Sequence, residues 1–329
     1  MRIPGRTTLR RLARPIAATL RPGGLILGYH RIASTSWDPL GLCIHPSHFR
    51  QHLEILIKLY SPVPLSFLIA NLCQGKSVRN MVALTFDDAY QDFFENAKPT
   101  LDQLGVPATI FVATGYIGRS YWWDEVVDRL RPDKATTPKL ELFWDKAGKA
   151  RRYAGLTSRR RAARAAQEIC RQLGTRSEPD RAAVMEQIRG VRGGAEKLPR
   201  VMAENQILEL AESPGVEIAC HSVSHPMLAS LDVRAQREEI ENGRRHLEAI
   251  TGVESVAGFS YPNGSYSELT RQLVAKLGYD YACASQPGVV RHGQHLYSLP
   301  RIWAPDVGRR RFQCWLSSWR GARRMPRSS

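Results

Sequence analysis

The chain has 329 residues, with 47 Lys and Arg against 31 Asp and Glu, a formal charge of +16, 43% apolar and 24% charged residues. That is an ordinary globular composition, and six cysteines with no Cys-x-x-Cys pair exclude a disulfide mini-scaffold. No uncharged run reaches the ~20 residues of a spanning helix; the run Leu104 to Gly118 is too short and carries Gly and Pro.

The charge is unevenly placed. Residues 1–37 hold seven Arg and no acid, residues 307–329 another seven Arg and no acid, and residues 146–200 fifteen bases and five acids. The remainder is net −8, so an acidic body carries three basic appendages. Basic arms are a common form of nucleic-acid binder, but no RNA-binding signature, zinc finger or recognisable helix-turn-helix accompanies them. Near the N-terminus, the apolar stretch Pro15 to Leu20 lies between Arg14 and Arg21, too short for a secretory core. Arg10-Arg11 lacks the same core. The chain is therefore expected to be cytoplasmic, with reduced thiols.

After a basic arm, 1–24, Leu25 to Ile32 reads as a buried strand and Pro46 to Tyr60 as an amphipathic helix with Phe49, Leu53, Leu56 and Tyr60 on one face. Met81 to Phe86 is an apolar strand running into Asp87-Asp88. Residues 92–104 read as a helix stopped by Gly105, and Ala108 to Thr114 as a β-branched strand. Residues 119–200 break this rhythm. They are rich in Arg and Ala, mostly helical in pattern, with Arg159-Arg160-Arg161 and a Gly193-Gly194 break, and read as an inserted helical subdomain. A helix over 204–212 then leads through Pro214-Gly215 into the strand Val216 to Cys220. Asp232 to Ile250 is a long polar helix, Val256 to Tyr261 a strand, 267–277 a helix and Tyr279 to Ala284 a strand. Strands alternating with helices over 25–118 and 201–306 predict an α/β fold, a mostly parallel sheet or barrel. In the tail, 307–329, Phe312, Trp315, Leu316 and Trp319 form one helical stripe flanked by arginines. Such a stripe suits an anionic membrane surface, or packing on the chain's own body.

Two constellations share a placement. Asp87-Asp88 and His221-Ser-Val-Ser-His225-Pro226 each follow directly on an apolar strand. In parallel α/β folds the carboxyl ends of the strands converge on one face, where active sites lie. Two imidazoles and a carboxylate meeting there suit a divalent ion, with a second carboxylate beside it as base. The spacing alone is weak: His48 and His52 have it too, but border the apolar stripe of a helix and read as structural or solvent-facing. Cys220 alternates away from the site and reads as a buried thiol. Trp122 and Trp123 suit stacking on a sugar ring, or anchoring of the insertion; nothing in the sequence places Asp124.

Thr85-Phe86-Asp87-Asp88, then His221 to Pro226, then Phe259-Ser-Tyr261-Pro262-Asn-Gly264 resemble, in order and spacing, the first three motifs of the polysaccharide deacetylases, the NodB-homology carbohydrate esterases. The resemblance runs from about Leu25 to Ile302 around the insertion. It implies a deformed (β/α) barrel that removes an N-acetyl group from an amino sugar. It further implies that Asp88, His221 and His225 hold one divalent ion, Zn2+ or one of Co2+, Mn2+ and Fe2+. Asp87 would be the general base on metal-bound water, and the Tyr261 backbone N–H would meet the oxyanion. Two departures stand out. The third motif lacks its usual Arg, for which Arg301 is the replacement expected. The C-terminal His motif is not evident, although His292 and His295 lie in that region. His30, ending the first strand, is similar to a histidine of the poly-N-acetylglucosamine deacetylase branch and is the expected general acid, its ordinary pKa near ~6.5 suiting that task. The expected partner is an N-acetylated glycan, possible in lipid-linked form at the inner leaflet through the basic arm and tail. Three other readings fit parts of this pattern: an amide hydrolase on a small non-sugar substrate, a non-catalytic glycan-binding relative, and, on charge alone, a nucleic-acid binder.

Overall fold

The computed structural model describes residues 23–134, 139–144, 150–191 and 197–320. Most of the basic arm and the end of the tail therefore lie outside the described residues. In chain order the elements are β1 (Leu25–Tyr29), β2 (Arg31–Ile32), β3 (Cys43–Ile44), α1 (Pro46–Leu59), β4 (Ser61–Pro62), α2 (Leu65–Cys73), β5 (Met81–Phe86), α3 (Lys98–Leu104) and β6 (Ala108–Val112). The insertion contributes α4 (Trp122–Arg129), β7 (Lys139–Phe143), β8 (Ala150–Ala154), α5 (Arg159–Gly174) and α6 (Glu178–Val191). Then follow α7 (Glu204–Glu212), β9 (Val216–Cys220), α8 (Val233–Thr251), β10 (Gly258–Ser260), α9 (Glu268–Lys276), β11 (Tyr281–Cys283), β12 (Ile302–Trp303) and α10 (Arg309–Arg320).

The main sheet runs β11-β10-β9-β6-β5-β1-β12, with β4 beside β5, and every pairing is parallel. Its strands are buried on both faces, the reason they read as unbroken apolar runs rather than alternating ones. The segment 299–303 joins the two edges: Leu299 pairs with Cys283, while Ile302 and Trp303 pair with Leu27 and Gly28. The sheet thus curls into the deformed (β/α) barrel expected. A Cβ on Gly28 would lie 2.6 Å from the Trp303 ring, so this edge needs glycine to seat Trp303.

Two departures from the sequence reading have physical causes, and one open choice is decided. The first strand breaks at His30, after which the chain turns to pair β2 with β3. The insertion is mostly but not wholly helical: β7 and β8 form an antiparallel hairpin, in which β7 alternates exposed and buried residues, a strand signal the sequence reading passed over, while only Tyr153 of β8 is buried. Leu140, Leu142 and Tyr153 join Ile169, Leu173, Met185 and Ile188 in a cluster of the insertion's own. Of the two readings of the α10 stripe, the structure bears out packing on the chain's own body. Phe312 and Leu316 are buried against α1, with the His52 ring stacked on Phe312 at 3.7 Å. The buried part of the tail's apolar face thus packs on the chain's own body, with Trp315 and Trp319 partly buried beside it. No described helix is long and apolar enough to cross a membrane.

Candidate active site

β5, β9 and β10 end on the same face of the sheet, with β6 between β5 and β9, and their carboxyl ends deliver Asp87 and Asp88, His221, and Ser260 to one place. Tight backbone turns then aim the side chains. Asp88, Ala89, Ser222, His225 and Asn263 all have positive φ, five of the six such non-glycine residues described. Left-handed backbone at non-glycine positions costs of order 1 kcal/mol each, and its clustering around one cavity marks a constrained site. Glu239 on α8 holds the loop after β9, accepting hydrogen bonds from the backbone N–H groups of Val223 and Ser224 at 2.9 Å and from the Ser224 hydroxyl at 2.6 Å.

The Asp88 carboxylate and the two imidazoles of His221 and His225 offer donor atoms within 4.8 Å of one another. His221 Nδ1–H donates to the Ser260 carbonyl at 2.7 Å, which leaves Nε2 facing the carboxylates at 3.7 and 3.8 Å. His225 Nε2 stands 3.3 Å from Asp88 Oδ1. Burial lowers the pKa of both imidazoles, so they are neutral and are not ion-pair partners of Asp88. Burial, and then the charges of Asp87 and Asp124, push the Asp88 carboxyl well above its ordinary value. Asp88 Oδ1 and His225 Nδ1 are buried with no hydrogen-bond partner. A buried carboxylate facing two neutral imidazoles is a cradle short of a cation, and this donor set fits a divalent ion such as Zn2+.

Asp87 is engaged differently. Arg301 is fully buried and clasps it in a two-pronged contact, Nη1 to Oδ1 at 2.5 Å and Nη2 to Oδ2 at 2.8 Å. Burial alone would raise the Asp87 pKa; the Arg301 guanidinium outweighs it and holds the carboxyl well below the usual range. Arg301 also donates to Ser260 Oγ at 2.8 Å and to the Ala284 carbonyl at 3.1 Å. From the segment leading into β12, Arg301 thus reaches the carboxylate that it was expected to brace. Ser260, which the sequence reading left without a role, ties together His221, Arg301 and Asp87. Its position at the end of the strand of the third motif was the available signal.

His30 lines the same cavity, its ring stacked on Trp303 at 4.5 Å. Its placement is as expected, but its proton affinity is not: burial, reinforced by Arg301 and His221 and opposed by Asp87, lowers its pKa to about 4. It is uncharged at neutral pH. His292 and His295 lie elsewhere, His292 donating to the Lys76 carbonyl at 2.7 Å. The expectation for Tyr261 is corrected. Its N–H is committed to the Cys283 carbonyl at 3.2 Å in the ladder between strands, and its hydroxyl to the Tyr297 carbonyl at 2.9 Å. The residue of that segment that lines the cavity is Asn263, two positions on.

The cavity measures about 400 Å³, with Trp122, Trp123 and Trp303 on its walls and Leu40 and Leu42 at its edge. Trp123 donates to the Tyr90 hydroxyl at 2.9 Å, which in turn donates to Asp124 at 2.8 Å. Asp124 is thus a buried support behind Trp123, its pKa raised by burial to about 7.

The polysaccharide deacetylase family model matches residues 74–139 and 189–282, stopping and resuming around the hairpin and helices of the insertion. A putative polysaccharide deacetylase, YxkH of Bacillus subtilis, is 21% identical over 289 residues, covering 86% of this chain and 72% of the relative. Among solved structures, the deacetylase PplD of Streptococcus pyogenes in complex with acetate is 20% identical with a TM-score of 0.56, covering 91% of this chain and 99% of that one. IcaB from Ammonifex degensii is 17% identical with a TM-score of 0.60, covering 92% and 98%. Asp87, Asp88, His221, His225 and Asn263 all fall inside the matched stretches, and the chain belongs to the polysaccharide deacetylase family.

Proposed function

We propose that the chain is a divalent-metal-dependent hydrolase that removes an N-acetyl group from an amino sugar of a polysaccharide or glycan precursor. One observation carries this reading. Asp88, His221 and His225 converge on one point, while the neighbouring Asp87, 3.7 Å from His221 Nε2, has both carboxylate oxygens engaged by Arg301. Two adjacent carboxylates thereby acquire separate tasks. A bound divalent ion would supply Lewis acidity, polarising the acetyl carbonyl and making water acidic enough for a weak base to deprotonate.

The chain's own residues supply the rest. Asp87, ionised and aimed by Arg301, accepts the proton of the attacking water. His30, neutral at rest and facing the same cavity, takes up that proton during the reaction and delivers it to the departing amine; it does not hold one beforehand. Asn263 replaces Tyr261 as the polar contact for the acetyl oxygen. Trp122, Trp123 and Trp303 offer aromatic faces to the apolar faces of a sugar ring, which supports a glycan over a small amide. The buried Arg301–Asp87 contact supports catalysis over mere glycan binding, because it restores the arginine that the third motif lacks.

The test is elemental analysis and acetate release on the same samples. About one divalent ion per chain, with acetate freed from N-acetylglucosamine oligomers, is expected. A chain that holds no metal after reconstitution with Zn2+, Co2+, Mn2+ or Fe2+ sinks the reading.

A further inference from the structure

The cavity changes character on the side of the insertion. There α5 forms its wall through Gln167, Cys170, Arg171 and Gly174. Arg171 is exposed, and no carboxylate pairs with it among the described residues. Its neighbours are engaged otherwise. Arg151 pairs with Glu168, and Arg129 and Arg189 share Glu125. Arg176 lies over the Trp144 ring at 5.3 Å, and Arg181 over Trp122 at 5.4 Å.

Arg171 is also a wall of an adjoining hollow of about 390 Å³, shared with Gln172, Thr175, Arg176, Ser177 and Asp180. Most polar groups of that hollow are already satisfied. The Gln172 amide donates to Glu168, the Thr175 hydroxyl to the Gln172 carbonyl, and the Ser177 hydroxyl to Asp180, the one carboxylate lining it. What remains uncommitted to a hydrogen bond is a pair of guanidinium groups, one of which also borders the reacting centre. A guanidinium is a planar fork whose best partner is a phosphate or carboxylate.

We propose that Arg171, with Arg176 beside it, forms a subsite for an anionic group, a phosphate or a carboxylate, carried by the substrate next to its N-acetylated sugar. The preferred substrate is then an acidic glycan or a glycosyl phosphate, with neutral chitin-like oligomers as weaker ones. This rests on the deacetylase reading above and deepens it. It also gives the basic insertion a task that a solvated charged face would not have.

Calorimetric titration tests it with three probes at low and high salt: UDP-N-acetylglucosamine, a glucuronosyl-N-acetylglucosamine disaccharide, and neutral N,N′-diacetylchitobiose. The wild type is expected to bind at least one acidic probe about tenfold more tightly than the neutral one. Arg171→Gln abolishes that preference and leaves the affinity for diacetylchitobiose unchanged. Arg310→Gln, which removes the same charge from the exposed face of α10, keeps the preference. Which acidic probe is favoured tells phosphate from carboxylate. No acidic preference in the wild type, or one that survives Arg171→Gln, overturns the subsite. If diacetylchitobiose is still deacetylated in that case, the deacetylase reading stands; if no probe binds or releases acetate, both fall.

Discussion

His48 and His52 on α1 share a four-residue spacing with His221 and His225 in the loop after β9, and the two pairs do opposite things. On α1 the spacing follows from helical periodicity, which puts both rings on one side. That side packs. His52 is fully buried, stacked on Phe312, and donates to the Val307 carbonyl at 2.8 Å. His48 donates to Asp306 at the surface at 2.7 Å. The second pair is not helical at all. Positive φ at Ser222 and His225 bends the loop until both rings turn onto Asp88, and Glu239 holds the bend. Spacing alone brings neither pair onto a carboxylate; the strand end and the loop behind it do so for His221 and His225.

The sharpest way to break this contrast is to remove each pair in turn. His221→Ala with His225→Ala is expected to reduce bound metal from about one ion per chain to none, and acetate release by ~10⁴-fold or more. The same double substitution at His48 and His52 should leave the metal content of the folded protein unchanged; loss of metal there would erase the distinction.

Asp87→Asn separates base from ligand. Acetate release should fall about 10²–10⁴-fold with metal retained, as measured by elemental analysis alongside turnover. Metal lost together with activity would move Asp87 into the ligand set.

The buried member of the structural pair has a signature in pH. Burial lowers the His52 pKa to about 4, although its bond to Val307 opposes this. A base whose folded pKa is depressed stabilises the fold above its unfolded pKa of ~6.5, and that stability is lost as pH falls towards 4. His52→Phe should flatten this acid loss by roughly 2–3 kcal/mol in denaturant titrations at pH 7 and pH 4. An unchanged slope would place the acid sensitivity elsewhere.

Smaller effects grade the supports. Glu239→Gln keeps the shape of the carboxylate but not its charge, and metal affinity should weaken about tenfold, read by chelator competition. His48→Ala removes one exposed pair and should shift stability by less than ~1 kcal/mol in the same denaturant assay.

Much of the barrel was legible before any coordinates. Met81–Phe86, Glu204–Glu212 and Val216–Cys220 have the bounds that their apolar runs and turn residues predict. Met81–Phe86 is buried on both faces, so burial writes itself into its composition. Elements with weaker demands left weaker traces. The helix Leu65–Cys73 is short and apolar nearly all round, while the hairpin of the insertion buries little of β8. The closing strand Ile302–Trp303 is two residues long, held by its neighbours rather than by propensity.

By itself the sequence determined the parts that are local: two acids directly after one strand, two histidines around the end of another, and hence a metal-type site on the carboxyl face of a parallel sheet. Only the tertiary structure decided what depends on distant segments meeting. Arg301 reaches Asp87 across 214 positions of chain. The Tyr261 N–H is claimed by a neighbouring strand, and Asn263, not Tyr261, lines the cavity. The apolar stripe of α10 closes onto α1. Each outcome turns on which partner a hydrogen-bonding or apolar group finds first in the folded chain, and a one-dimensional pattern does not record that choice.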